Sequence, residues 1–214
     1  MRIAVLGTGM VGRAIASRLS GLGHEVVVGT RDVEKSHSRG DAGDLRLLTF
    51  ADAGAFGDVI INATNGANAL SALNAVGEKN LAGKVVLDLT LPLDLSSGLP
   101  PTLTVANTDS LGEQVQRDFP SARVVKSLTT VYFEVMIDPS RIPGEHSIFV
   151  AGDDADAKAV VRSLLAQFGW PENSVIDLGG IAGARGVEMY SRLFFELYQA
   201  FGTFDFNINV VRPR

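Results

Sequence analysis

Gly7-Thr8-Gly9-Met10-Val11-Gly12 comes directly after the apolar run Ile3 to Leu6, and Val11, Ala14, Ile15, Arg18, Leu19 and Leu22 then recur at helical spacing. A continuous apolar run stopped by glycine is the pattern of a strand buried on both faces, and the change of period marks a helix that ends near Gly21 and Gly23. Glu25 to Gly29, built on Val26-Val27-Val28, reads as a second strand. The hexapeptide therefore sits at a strand-to-helix turn inside a strand-helix-strand unit. The first glycine of such a turn makes it tight, the second lets backbone approach a pyrophosphate, and the third lets helix and strand pack closely. The free N–H groups of the helix start, backed by the positive end of its dipole, suit a phosphate. Gly7, Thr8, Gly9, Met10, Val11 and Gly12 are accordingly predicted to bind the diphosphate of a dinucleotide. The competing reading is a glycine-rich turn that only packs.

Six more apolar runs follow, Arg46 to Phe50, Asp58 to Ile61, Val85 to Leu89, Ala122 to Leu128, Ser147 to Val150 and Val175 to Leu178, with possible helices between them. This alternation predicts the α/β class, a Rossmann-type doubly wound parallel sheet covered on both faces, with a small helix-rich C-terminal extension. Residues 1–127 are assigned to the dinucleotide-binding domain and 128–214 to the extension. Ala157, Val160, Val161, Leu164, Leu165 and Phe168 repeat the helical spacing over Asp154 to Phe168, behind an N-cap at Asp153 or Asp154. Pro92 to Pro101 and Ile137 to Gly144 read as the two long connections.

The 214 residues carry 19 Lys plus Arg against 24 Asp plus Glu, a net charge of −5, with no clustered basic patch, so no nucleic-acid partner is expected. With 46% hydrophobic and 20% charged residues the chain has the composition of a folded domain. The absence of cysteine excludes disulfides, thiolate metal sites and Cys nucleophiles, and His24, His37 and His146 lack metal-ligand spacing, so no metal site is predicted. The longest uncharged run, Val59 to Gly77, is broken by Asn62, Thr64, Asn65, Asn68, Ser71 and Asn74 and is no membrane helix. The N-terminal apolar run is too short for a signal peptide. A cytoplasmic protein with no membrane partner is expected.

An NAD-preferring protein ends its second strand with an acid for the ribose hydroxyl, whereas this chain reads Gly29-Thr30-Arg31-Asp32, with Lys35 one turn later. Thr30, Arg31 and Lys35 offer donors and positive charge to a 2′-phosphate, which favours NADP(H). The alternative is that Arg31 and Lys35 are solvated and Asp32 takes the ribose one residue late. Open α/β sheets bind ligands outside the carboxyl ends of their strands, so Ala63, Thr64 and Asn65, and also Thr90 and Leu91, should border the ribose and nicotinamide unless they are turn formers only.

No Tyr-x-x-x-Lys pair is present, because Met136, Phe194 and Gly202 stand four residues after the three tyrosines. The chain also lacks a P-loop. Lys126, Glu134 and Glu188 are conceivable proton donors, each more readily read as a surface or salt-bridge residue. With no general acid identified, hydride transfer that needs only two aligned rings is the chemistry best matched.

Tyr190, Phe194, Phe195, Tyr198, Phe201, Phe204 and Phe206 place seven of the fifteen aromatics in seventeen residues. A helix over about Ala184 to Phe201 with apolar groups on most sides needs cover from the core, a flat ligand or a second subunit. A homodimer contact is expected there.

Taken together, Gly7 to Gly12, Gly29-Thr30-Arg31 with Lys35, Val124 to Thr130, Gly152-Asp153-Asp154, Asp177-Leu178-Gly179, Ala184-Arg185 and Glu188-Met189-Tyr190 resemble the F-420-dependent NADP oxidoreductases. The resemblance implies an NADPH-binding Rossmann domain, a helical C-terminal part, a homodimer, and hydride exchange between NADPH and an 8-hydroxy-5-deazaflavin. By that resemblance Thr129, Thr130 and Val131, with Arg185, Glu188 and Met189, edge the second-substrate pocket. The chain departs from the family pattern at Thr129-Thr130, where His beside Thr is expected, and at Tyr132, where Pro is expected. Three readings stand at this point: an NADP(H) oxidoreductase with a deazaflavin or flavin acceptor, an NADPH-dependent reductase of a small carbonyl or imine, and a non-catalytic NADPH-binding module.

Overall fold

In the computed structural model, which describes residues 1–40 and 43–211, the first strand-helix-strand unit is β1 (Arg2–Leu6), α1 (Met10–Gly21) and β2 (Glu25–Thr30). It continues through α2 (Val33–Ser38), β3 (Arg46–Thr49), α3 (Phe50–Phe56), β4 (Val59–Asn62), α4 (Ala69–Val76), α5 (Glu78–Leu81) and β5 (Val85–Asp88). A short ribbon of β6 (Leu93–Asp94) and β7 (Thr102–Leu103) precedes α6 (Leu111–Asp118), β8 (Arg123–Ser127) and α7 (Phe133–Ile137). The chain then runs through β9 (Ile148–Ala151), α8 (Ala155–Phe168), β10 (Val175–Asp177) and α9 (Ala184–Phe201).

All eight predicted strands join one sheet in the order β10-β9-β8-β5-β4-β1-β2-β3. The order reverses between β1 and β4, which makes their carboxyl ends the topological switch point where such sheets hold ligands. Two features correct the sequence reading. The sheet is not parallel throughout, since β9 runs antiparallel to β8, with Lys126 opposite Ala151. The Pro92 to Pro101 connection is also not plain loop, because Leu93 pairs with Leu103 and Asp94 with Thr102 to make the antiparallel ribbon. The expected division at 127/128 does not separate two sheets: β9 and β10, beyond it, extend the sheet begun by β1.

Alternate residues of each strand face opposite layers. Ile3, Val5, Ile61, Leu87 and Val125 pack under α1, α7 and α8 with Ile15, Leu19, Val135, Leu164 and Phe168, all buried. Ala4, Leu6, Ile60, Val86 and Val124 pack on the other side under α3, α4, α6 and α9 with Ala53, Leu73, Val115 and Ala184. Local signals set the helix starts. Asp32, Ser110 and Asp154 accept N–H bonds from Lys35, Glu113 and Ala157 at the starts of α2, α6 and α8, and α8 stops at Gly169 in the left-handed conformation. Among the described residues no helix is long and apolar enough to cross a membrane.

Candidate active site

At the switch point a cavity of ≈ 640 Å³ is lined by Gly7, Thr8, Gly9, Thr30, Arg31, Lys35, Ala63, Thr64 and Asn65, all predicted from the sequence. Gly7 has φ +112° and a Cβ there would come 2.8 Å from the Ala63 carbonyl oxygen, so the tight turn requires glycine. A Cβ on Gly12 would come 2.1 Å from the Gly7 oxygen, which is the close approach of α1 to the turn. At Gly9 a Cβ would meet nothing within 4 Å. The middle glycine thus opens onto empty space while the outer two are held by packing.

Helix α1 begins at Gly9 without a side-chain cap and has no acid in its first turn. Its leading N–H groups, those of Met10, Val11 and Gly12, are therefore available to an anion. The Met10 side chain is exposed and Val11 half-buried against the core.

At the β2 end, Thr30 is buried and its hydroxyl shares a hydrogen bond of 2.9 Å with Ser36 Oγ. Asp32 Oδ1 accepts the Lys35 N–H at 2.9 Å, so this carboxylate serves as the cap of α2. Arg31 and Lys35 line the cavity together with Arg39, which sequence reading missed although it follows Lys35 at helical i, i+4 spacing. Further lining comes from Asn68, the N-cap of α4, and from Ser71, Ala72 and Ala75, whose i, i+1, i+4 spacing puts them on one side of that helix. This lining too was missed, for the small residues carry no chemical signal.

The carboxyl ends of β4, β5 and β8 hold a polar row in register, with Asn62 beside Asp88 and Asp88 beside Lys126. The first two carry the same local motif: Thr64 Oγ1 donates to Asn62 Oδ1 and Thr90 Oγ1 to Asp88 Oδ1, each at 2.8 Å. Asn65 Oδ1 accepts the Ala67 N–H at 2.9 Å, and Gly66 packs so closely on Leu91 that a Cβ would overlap its carbonyl oxygen. The Ala63–Asn65 and Thr90–Leu91 turns are thus neighbours, but Thr90 and Leu91 lie outside the residues lining the cavity.

Lys126 is fully buried, 2.9 Å from Asp88 Oδ2 and 2.8 Å from Glu188 Oε1, and also donates to the Thr90 carbonyl. Burial alone would lower its pKa, but the two carboxylates outweigh it and the ammonium is held above its ordinary value. Glu188 in turn accepts the N–H groups of Leu111 and Gly112, at 2.8 and 2.9 Å, at the start of α6. Lys126 and Glu188 are therefore not surface residues, and a lysine so held is a poor proton donor. Glu134 pairs with Arg141 at 2.8 Å.

The residues of the second predicted group differ in burial and in partners. Thr129, Thr130 and Val131 are buried just beyond β8, after Leu128 at φ 63°, and the Thr129 and Thr130 hydroxyls have no hydrogen-bond partner among the described residues. Arg185 turns to Glu113 in a bidentate pair at 2.8 and 2.6 Å, and that bond holds the Glu113 carboxyl below its usual range. Glu188 is buried with its carboxylate engaged, whereas Met189 is exposed. Burial raises the Tyr190 phenol to about 12, and its hydroxyl lacks a partner among the described residues.

A sequence model of the family described as NADP oxidoreductase, coenzyme F420-dependent, matches residues 2–92. The crystal structure of a protein from Arthrobacter sp. FB24, provisionally named an F420-dependent NADP-reductase, superposes with a TM-score of 0.94 at 48% identity, covering 99% of this chain and 100% of that one. The F420-dependent NADP reductase of Methanothermobacter marburgensis is 29% identical over 210 residues, 92% of each chain. Rat metalloreductase STEAP3 is 26% identical over 187 residues, which are 87% of this chain and 36% of that protein, so the chain spans about a third of that relative.

Proposed function

The chain belongs to the coenzyme F420-dependent NADP oxidoreductase family, and on that premise we propose that it passes a hydride between NADPH and a planar acceptor of the 8-hydroxy-5-deazaflavin or flavin type. It is an NADP-dependent oxidoreductase. The observation that carries the reading is the cavity in which the open face of Gly9, the uncapped start of α1 and three cationic side chains meet.

These residues fit the nucleotide. The N–H groups after Gly9 receive the diphosphate, and Arg31 and Lys35 receive the 2′-phosphate, while Asp32, which also lines the cavity, caps α2 through Oδ1. The small face of α4 gives the adenine a flat wall. Ala63, Thr64, Asn65, Thr90 and Leu91 border the ribose and nicotinamide, and Thr129, Thr130 and Val131 edge the acceptor. When bound, NADPH supplies a hydride from the C4 position of its nicotinamide.

The protein's part is alignment and exclusion of water. Lys126, Asp88 and Glu188 tie β5, β8, α6 and α9 together behind the strand ends, which fixes the Thr90 and Thr129 turns relative to each other. An isolated carbonyl or imine needs a proton at the reacting atom, and the buried Lys126–Glu188 pair is committed elsewhere. A second copy of the chain, packed on the Met189, Leu193 and Phe201 side of α9, covers the exposed apolar groups there.

The test is NADPH oxidation with 8-hydroxy-5-deazaflavin and with riboflavin as acceptors. Turnover with either supports the reading, and turnover confined to small carbonyls or imines overturns it.

A further inference from the structure

We propose that the buried Asp88, Lys126 and Glu188 cluster biases the nicotinamide toward its oxidised, cationic form, through one unit of negative charge that no cation among the described residues offsets. The inference rests on the hydride-transfer reading, which sets the nicotinamide against the Thr90 turn, and adds an electrostatic role for side chains behind that turn. All three side chains are buried. The single ammonium faces two carboxylates, Asp88 Oδ2 at 2.9 Å and Glu188 Oε1 at 2.8 Å.

The positions of the hydrogens follow from the contacts. An ammonium has three donors, and those of Lys126 meet three acceptors, the third being the Thr90 carbonyl. Asp88 Oδ1 accepts the Thr90 N–H at 3.3 Å, while Glu188 accepts the Leu111 N–H on Oε2 and the Gly112 N–H on Oε1. Both oxygens of each carboxylate therefore accept an N–H hydrogen, as an ionised carboxylate does. One positive charge stands against two negative ones.

Among the described residues nothing nearby cancels the excess. Arg185, one turn before Glu188 on α9, is bound to Glu113 at 2.6 Å. Asn62, in register beside Asp88 on β4, leaves its Nδ2 unpartnered and so gives that carboxylate no hydrogen. The start of α6, which faces Glu188, is equivalent to about half a positive charge, less than the unit in excess. A buried charge short of a counter-ion is destabilising on its own, and a cation formed close by lowers that cost.

The cluster grips the turn itself. Asp88 holds the Thr90 N–H and hydroxyl, and Lys126 holds the Thr90 carbonyl, so the charge sits directly behind a residue that borders the nicotinamide in the proposed reading. Loss of the hydride, in which the C4–H bond breaks and its electron pair goes to a ring carbon of the acceptor, turns a neutral dihydronicotinamide into a pyridinium cation. A fixed negative charge in a water-poor interior attracts that cation and leaves the neutral ring nearly indifferent. Compared with a neutral cluster, this one holds NADP⁺ more tightly relative to NADPH and displaces the bound couple toward hydride release.

The experiment is calorimetry with NADP⁺, NADPH and 2′,5′-ADP, without acceptor, on the wild-type protein and on Asp88→Asn. Asp88→Asn makes the cluster neutral, and the ratio of the NADP⁺ to the NADPH dissociation constant is expected to rise about tenfold, with 2′,5′-ADP binding unchanged. A loosened turn alone would weaken both nicotinamide forms together and leave the ratio where it was. Glu188→Gln removes the same charge from α9, is expected to raise the ratio likewise, and covers the case in which Asp88→Asn does not fold. Asp88→Glu keeps the charge and is expected to keep the wild-type ratio. An unchanged ratio in the folded neutral variants, with wild-type protein still oxidising NADPH against a deazaflavin or flavin, overturns the charge role and leaves the planar-acceptor reading standing. An unchanged ratio together with no such oxidation overturns both.

Discussion

The Glu188 carboxylate meets the Lys126 ammonium at 2.8 Å where solvent reaches at most 1% of either side chain. The contact joins α9 to the end of β8, and Asp88 completes the group from β5. Removing the cation leaves two facing carboxylates without a counter-charge, so Lys126→Met is expected to lower unfolding free energy by about 3–5 kcal/mol in urea titrations. Because the folded pKa of Lys126 lies above its ordinary 10.5, this contribution is complete below 10.5 and is lost as pH rises through the folded value. The stability gap between wild type and Lys126→Met should therefore narrow in alkali, and a gap independent of pH would refute the charge assignment.

Gly9 and Gly12 separate binding from folding. A methyl on Gly12 meets the Gly7 carbonyl, so Gly12→Ala should lose about 2–3 kcal/mol of stability. Gly9→Ala adds its methyl to open space. It should melt like wild type yet bind NADPH about tenfold more weakly by calorimetry, since the methyl stands where the diphosphate approaches. Equal NADPH affinity in Gly9→Ala would place the diphosphate elsewhere.

Arg31→Ala should weaken NADPH binding by about 1.5–3 kcal/mol, the size of one charged hydrogen-bond partner, and NADH binding far less. Lys35→Ala should act in the same direction. Competition between 2′,5′-ADP and 5′-ADP measures the difference, and equal weakening for both nucleotides removes Arg31 from the 2′-phosphate site.

Asp109 accepts both terminal nitrogens of Arg117 at 2.8 Å, and this bond holds its carboxyl well below the usual 3.8. A depressed carboxylate contributes stability above its unfolded pKa and loses it as pH falls through the folded one. Asp109→Asn should cost up to about 1 kcal/mol at neutral pH, small because Arg117 is half exposed, and nothing below the folded pKa. Thermal melts between neutral and strongly acidic pH test the sign.

Period and punctuation carried the fold in particular places. The runs at Ile3, Val26 and Val85 are strands because continuous apolar residues ended by turn formers have little else to become, and the helical spacing up to Phe168 marked the end of α8, while its start, left between Asp153 and Asp154 in the sequence, is capped by Asp154. Strand direction has no periodic signature, so nothing in Ile148 to Ala151 announced that β9 would oppose β8. The ribbon at Leu93 and Thr102 is too short to show alternation. In the cavity, the glycines, Arg31 and Lys35 were legible because their chemistry is local to one turn. Lys126 was not, because a lysine reads as exposed until the partners at residues 88 and 188 are brought beside it. Phe204 likewise joins rings from residues 132 and 198 that only the fold unites.

The claim that two rings are laid against each other for direct transfer is tested by labelling the nicotinamide. NADPH deuterated at C4 on either face is mixed with the protein and 8-hydroxy-5-deazaflavin, and the reduced ring is analysed by mass spectrometry. Label from one face carried wholly to the ring is the predicted result, while label released to solvent, or found on the ring equally from both faces, would contradict it.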